Sequence, residues 1–305
     1  MTNPAIYLDH AATTPVHPKV LESMLPFWTE AYGNPSSNHT FGRKAESALR
    51  SAREGIADTL GANPGEIVFT ANGSASDNLA IRGVFWTAMA HDRNCHIIIS
   101  SIEHSAVKNT AVQLAELNGC EVTMLPVDHF GQIRLSDLES AIRPNTILIS
   151  IMAANNEIGT LQPFEEIGQI ARDHGILFHT DAVQAIAVQK WDLAKLPIDL
   201  LSIAPHKFYG PKGVGILYVS DGLELTPVLT GGGQEENRWP GTENVAFAVG
   251  AAKALQLASE ELPDLVEHYS KLTGKLISGL VTSLPDDCQL TGHPSRRLPH
   301  NASFA

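Results

Sequence analysis

Ser202-Ile203-Ala204-Pro205-His206-Lys207-Phe208-Tyr209-Gly210-Pro211-Lys212-Gly213 sets a His-Lys pair between an apolar run and a turn rich in glycine and proline. Upstream, residues 176–180 form a second apolar run, and Asp181-Ala182-Val183-Gln184 follows it directly. Short apolar runs closed by turn residues read as strands buried on both faces. The same pattern recurs over residues 66–70, 97–100, 121–125, 146–152, 200–204 and 215–219. Helices are predicted over 17–31, 41–60, 104–118, 136–142 and 164–174, and from Gly73 onward. Within 41–60, Ala45, Ala48, Leu49, Ala52, Ile56 and Leu60 recur at three- and four-residue steps, as one buried helical face requires. Strands divided by helices imply an α/β fold of three layers around a mostly parallel sheet. A long helical region over 243–283, interrupted near Pro263, follows the last strand. Residues 289–305 then open a further unit. No internal repeat or low-complexity tract is present.

The bulk properties narrow the function. A chain of 305 residues has room for about two domains. Its net charge of −12 comes from 21 basic and 33 acidic residues, which argues against nucleic acid or an anionic membrane as partner. No apolar run approaches the roughly 18 residues of a membrane span. The start, Met1-Thr2-Asn3-Pro4-Ala5, lacks the charged and apolar regions of a secretory signal. Cys95, Cys120 and Cys288 are odd in number and widely spaced, so they form neither a disulfide framework nor a metal pair. A reducing, cytoplasmic compartment is expected.

Ligands of open α/β sheets bind where the strand-end loops converge, and several polar clusters fall at such ends. Gly73-Ser74 opens a helix whose backbone N–H groups suit a phosphate, although Ser74 equally suits a plain helix cap. His104 after the second strand reads either as a cap or as a site residue. Asn155-Asn156-Glu157-Ile158-Gly159 reads first as a turn. Asp181 either caps the next helix or faces a ligand. Lys207 is a solvated lysine or a Schiff-base former. The Gly231-Gly232-Gly233 turn is not a P-loop, because no Gly-Lys-Ser/Thr follows it. A lysine and an aspartate at the ends of two strands of one sheet together suggest pyridoxal phosphate (PLP) chemistry.

Several motifs carry a more specific resemblance. They are Tyr7-Leu8-Asp9-His10-Ala11-Ala12-Thr13-Thr14-Pro15, Tyr32-Gly33-Asn34-Pro35-Ser36-Ser37, Ser76-Asp77-Asn78-Leu79-Ala80, Asn155-Asn156-Glu157-Ile158-Gly159, Pro205-His206-Lys207 and Gly241-Thr242-Glu243-Asn244-Val245. With them the chain resembles the cysteine desulfurases of the NifS type, in the class V aminotransferase group of fold-type I PLP enzymes. The resemblance runs from residue 5 to about residue 250 and continues weakly to Ala305. It implies a PLP-binding large domain over 15–255 and an incomplete α+β small domain made of 1–14 and 256–305. There the segment Leu298-Pro299-His300-Asn301-Ala302-Ser303-Phe304 is expected to be a strand.

The resemblance also implies roles. Lys207 would carry PLP covalently, and Asp181 would pair with its ring nitrogen. Gln184 would bind the ring hydroxyl, and His104 would stack on the ring and assist proton transfer. Asn155 would orient cofactor and substrate. Gly73, Ser74 and His206 would hold the phosphate, joined by Thr242 of a second subunit in a homodimer. Ala204 stands where the group usually has a phosphate-binding serine. The implied reaction takes sulfur from L-cysteine, leaves L-alanine, and passes a persulfide to a sulfur acceptor or iron–sulfur scaffold protein. The alternatives on one scaffold are a selenocysteine lyase, an aminotransferase, or a PLP-binding remnant that dimerises without turnover. The nucleophilic cysteine and the substrate-clamping arginine of the group are expected beyond Ala305. The 305 residues are therefore expected to be a fragment inactive alone, with apolar surface left uncovered.

Overall fold

The computed structural model describes residues 5–90 and 94–305. In chain order the helices and strands are α1 (Pro18–Met24), α2 (Pro26–Thr29), α3 (Thr40–Leu60), β1 (Ile67–Thr70), α4 (Gly73–Met89), β2 (His96–Ser100), α5 (Ser105–Asn118), β3 (Glu121–Leu125) and α6 (Leu135–Ala141). They continue with β4 (Thr146–Ser150), α7 (Phe164–Asp173), β5 (Leu177–Asp181), β6 (Leu200–Ile203), β7 (Gly215–Val219), α8 (Val245–Glu260) and α9 (Leu262–Ser283).

The strands form one seven-stranded sheet in the order β1-β7-β6-β5-β4-β2-β3. Only β7 runs against its neighbours β1 and β6, so the sheet is mostly parallel as expected. Alternate residues of each strand serve two separate cores. Val68, Ile97, Ile99, Leu148, Leu200 and Leu217 face α4 and α5. Phe69, Ile98, Ile149, Phe178, Leu201 and Ile216 face the other layer, with α3, α7 and α8. Burial on both faces explains the continuous apolar runs, and the two cores give the three layers.

Three expectations change in detail. The helix over 17–31 divides at Pro26, whose missing N–H ends the first segment. The strand over 146–152 stops at Ser150, although Ile151 still donates its backbone N–H to the His179 carbonyl at 3.1 Å. Residues 298–304 form no strand. They fold back instead, with one bridge between Leu290 and Phe304, and the Leu298 N–H reaches the Gly159 carbonyl at 2.8 Å. Arg297 and Asn301 complete that anchor. The Asn301 amide donates to the Glu157 carbonyl at 3.1 Å and accepts from Arg297 at 2.9 Å. The segment is thus tied to the turn after β4, the edge of the sheet where the polar clusters converge.

Candidate active site

The C-terminal ends of β1, β2, β4, β5 and β6 open into a cavity of about 1210 Å³. Gly73, Ser74, His104, Asp181, Gln184, Ala204, His206 and Lys207 all line it, as the sequence placed them. Asn155 and Thr242 do not. The Asn155 side chain is buried and organises its own turn. Its oxygen accepts from the N–H of Glu157 at 2.9 Å and Ile158 at 3.0 Å, and its nitrogen donates to the Ile102 carbonyl at 3.1 Å. Thr242 is exposed on a separate shallow depression beside Thr70 and Trp239.

Lys207 sits in a short 3-10 turn directly after β6. Its Nζ donates to the carbonyls of Ala11 at 2.6 Å and Ala12 at 3.0 Å. Those carbonyls belong to the N-terminal segment, which is stitched to the lysine turn throughout. The His206 carbonyl accepts from the Thr14 N–H and from the Thr14 hydroxyl, both at 2.9 Å. The Thr14 hydroxyl accepts from the Tyr209 N–H at 2.7 Å. Tyr209 is held in the left-handed region at φ 63°, a conformation that costs a residue of this type about 1–3 kcal/mol. Carbonyl dipoles hold the lysine amine in place, and half-burial pulls its pKa below the ordinary value, against the pull of Asp181 and Asp9.

Asp181 ends β5 with 7% of its surface exposed. One carboxylate oxygen accepts the Val183 N–H at 2.9 Å. Burial raises its pKa, while that N–H and the nearby His104 and Lys207 lower it. Two further buried acids stand behind it, Asp77 on α4 and Glu103 after β2. Burial pushes Glu103 up to about 8, although Ser100 and the Met152 N–H donate to it. His179 is buried between the hydroxyls of Ser150 at 2.8 Å and Ser202 at 3.0 Å, and burial pushes its pKa down to about 3.

The start of α4 builds another part of the cavity wall. The helix cap is Asn72, whose side-chain oxygen accepts the Ala75 N–H at 2.8 Å. Ser74 is therefore not the cap, and its exposed side chain faces the cavity. Gly73 packs so closely that a Cβ there would lie 3.1 Å from the Ala204 Cβ and 3.3 Å from Val183 Cγ2. His206 accepts or donates at Nδ1 to the Thr13 hydroxyl at 3.0 Å. Burial and the two adjacent lysines push its pKa down to about 4, so it is a neutral donor or acceptor there. His104 caps α5, with Nδ1 accepting the Ala106 N–H at 3.2 Å, and it also lines the cavity. The Gln184 amide donates to the Ala11 carbonyl at 3.0 Å.

None of the three cysteines lines the cavity. Cys95 and Cys120 are buried in the α4–α5 core, and burial pushes the Cys120 thiol up to about 12. Sequence reasoning missed Asp77, Glu103 and the Ala11-Ala12 carbonyls. One signal for Asp77 was available: an acid flanked by Leu79, Ala80 and Ile81 on a helix too apolar to be a surface helix.

Comparison with known proteins places this geometry. The Aminotransferase class-V family profile matches residues 6–305. The cysteine desulfurase IscS of Methanosarcina thermophila is 50% identical over 301 residues, covering 99% of this chain and 73% of the relative. A solved structure described as a NifS-like protein superposes with a TM-score of 0.94 at 40% identity, over 99% of this chain and 81% of the other. A structure described as SspA in complex with cysteine is 47% identical with a TM-score of 0.79, over 83% of this chain and 72% of the other. The lysine turn, the buried aspartate and the α4 start thus lie in a fold shared with these relatives, and the chain belongs to the class-V aminotransferase family, in its NifS-type cysteine desulfurase group.

Proposed function

We propose that this chain carries PLP on Lys207 and removes sulfur from L-cysteine, leaving L-alanine. The observation that carries the reading is the pairing of Lys207 and Asp181 in one cavity, an amine with a lowered pKa facing a buried carboxylate. The SspA relative, solved with cysteine, supports the substrate class. The residues fit the cofactor. Gly73 leaves a space against Ala204 that a Cβ would fill, and the exposed start of α4 offers donors there.

When bound, PLP supplies an electron sink for bond breaking on the substrate. The protein supplies the rest. Lys207, relieved of part of its affinity for protons, offers an amine for attachment and then a base near the substrate carbon. Asp181 would keep a proton on the ring nitrogen, Gln184 would bind the ring hydroxyl, and His104 would cover the ring. Gly73, Ser74 and the neutral His206 would bind the phosphate. Asn155 acts through its turn, placing the 156–157 backbone at the cavity wall. Thr242 is assigned to the cofactor of a second copy, which makes the working unit a homodimer. The first thiol to take the sulfur lies outside the three cysteines of this chain, since none lines the cavity. A cytoplasmic setting, delivery to an iron–sulfur scaffold or other acceptor, and the division into 15–255 and 1–14 with 256–305 belong to this same reading.

The test is a titration of the PLP-loaded protein with L-cysteine, followed by its visible spectrum and by L-alanine in the presence of added thiol. A spectral change with L-cysteine that is lost in Lys207→Ala supports the proposal. A spectrum that L-cysteine leaves untouched overturns it.

A further inference from the structure

Asp77 is a buried acid with an unmet need. Its side chain projects from α4 to the base of the cavity with 1% of its surface exposed, and Oδ1 has no hydrogen-bond partner among the described residues. Its other polar contact is the Ser202 hydroxyl. His179 stands 3.7 Å away through Nε2, but both ring nitrogens of His179 already meet serine hydroxyls. Ligating atoms of Asp77, Asp181 and His104 all lie within 4.8 Å of one another. Two carboxylates this close, walled off from water, do not both ionise.

The partners decide which acid keeps the proton. Asp181 has the Val183 N–H, His104 and Lys207 to stabilise its anion. Asp77 has the Ser202 hydroxyl, set against burial and the Asp181 charge, which repels a second negative charge. His179 is neutral and offers no compensation. We propose that Asp77 is a neutral, proton-holding positioning residue that leaves Asp181 the single anion at the ring end of the cavity. This inference rests on the PLP reading of the site for its purpose, though the proton on Asp77 is a property of the protein alone. An ionised Asp77 would compete with Asp181 for the cation of the ring. A neutral one keeps that charge at one defined position, against the face the cofactor presents. Burial and the Asp181 charge raise the Asp77 pKa in the direction the proposal requires.

The experiment uses the full chain without cofactor, labelled with carbon-13 at aspartate Cγ. The expected result is one aspartate carboxyl resonance that remains protonated at pH 7 and vanishes in Asp77→Asn, while the resonance lost in Asp181→Asn is ionised. An Asp77 resonance that is ionised at pH 7 overturns the proposal. Linkage gives a second readout. A folded-state proton on Asp77 that the unfolded chain releases makes folding less favourable as pH rises above the unfolded aspartate value of about 3.9. The folding constant of the wild type relative to Asp77→Asn then falls about tenfold per pH unit until Asp77 ionises in the folded state. A ratio that stays flat with pH overturns the proposal, and the wild-type resonance decides the matter if the variant does not fold. Should PLP produce no visible absorbance in the wild type, the functional reading fails while the Asp77 result stands.

Discussion

Arg53→Met removes one half of a bidentate, largely buried ion pair. The Arg53 guanidinium meets both oxygens of Glu235, at 2.8 Å and 2.6 Å, and the Glu235 side chain is 2% exposed. Glu235 also accepts the Phe69 N–H at 2.9 Å, and Arg53 donates to the Ile67 carbonyl and lies 4.9 Å over the Phe69 ring. One clamp therefore fixes β1 to the loop over 230–244. That loop has little slack, because Glu235, Glu236 and Asn237 are all left-handed, at φ 47°, 56° and 65°. Methionine keeps the packing of the arginine stem, so the loss is mainly that of a buried carboxylate left with one N–H. Breaking a buried pair from one side costs about 3–5 kcal/mol, or about two to three and a half powers of ten in the folding constant. Urea denaturation should show this as a lower midpoint with an unchanged slope. The double variant Arg53→Met with Glu235→Leu should recover more than half of the loss, since it removes the stranded charge. A single-variant loss below about 1 kcal/mol, the range of surface pairs, would refute the reasoning, as would a double variant no more stable than the single.

Three further outcomes follow from the site. Ala204→Ser restores a hydroxyl beside Gly73 and should tighten PLP binding by about 1.5–3 kcal/mol; an unchanged dissociation constant in an absorbance titration contradicts it. The lowered pKa of Lys207 means that its neutral amine becomes available at lower pH than for a free lysine, near 10.4. PLP attachment should therefore rise with pH through a midpoint below that value, and Asp181→Asn should lower the midpoint further, because Asp181 favours the ammonium form. A midpoint at the free-lysine value counts against this. Glu103, at about 8 in the folded chain against 4.5 for an ordinary glutamate, holds a proton that the unfolded chain loses. Its contribution is fully present below the unfolded value and falls by about 1.4 kcal/mol per pH unit until pH passes the folded value. Glu103→Gln should flatten that part of the stability profile measured by urea midpoints, and parallel profiles would contradict the assignment.

The sheet was readable because strands buried on both faces are continuous apolar runs, and residues 215–219 are such a strand to the residue. The strand-end order made Asp181, His206 and Lys207 legible as one site, since loops at that edge must converge. What stayed hidden depends on long-range contact or on burial of charge. Nothing local indicates that the carbonyls of Ala11 and Ala12 meet a lysine some two hundred positions later. Ser74 and Asn72 are both good caps, and only the backbone geometry chooses Asn72. Glu103 looks like a surface acid in the sequence, because tertiary packing alone removes it from water, and only the apolar helix around Asp77 hints that it is buried. The resemblance implies a strand over 298–304, but Arg297 and Asn301 tie the segment to the turn after β4 instead.

The central claim is that Lys207 carries the cofactor. Incubation with PLP, borohydride reduction and peptide mapping by mass spectrometry test it directly. The account predicts the added mass on the peptide containing Lys207, with the visible absorbance absent in a folded Lys207→Ala variant. A label on another lysine, or absorbance unchanged in that variant, would contradict it.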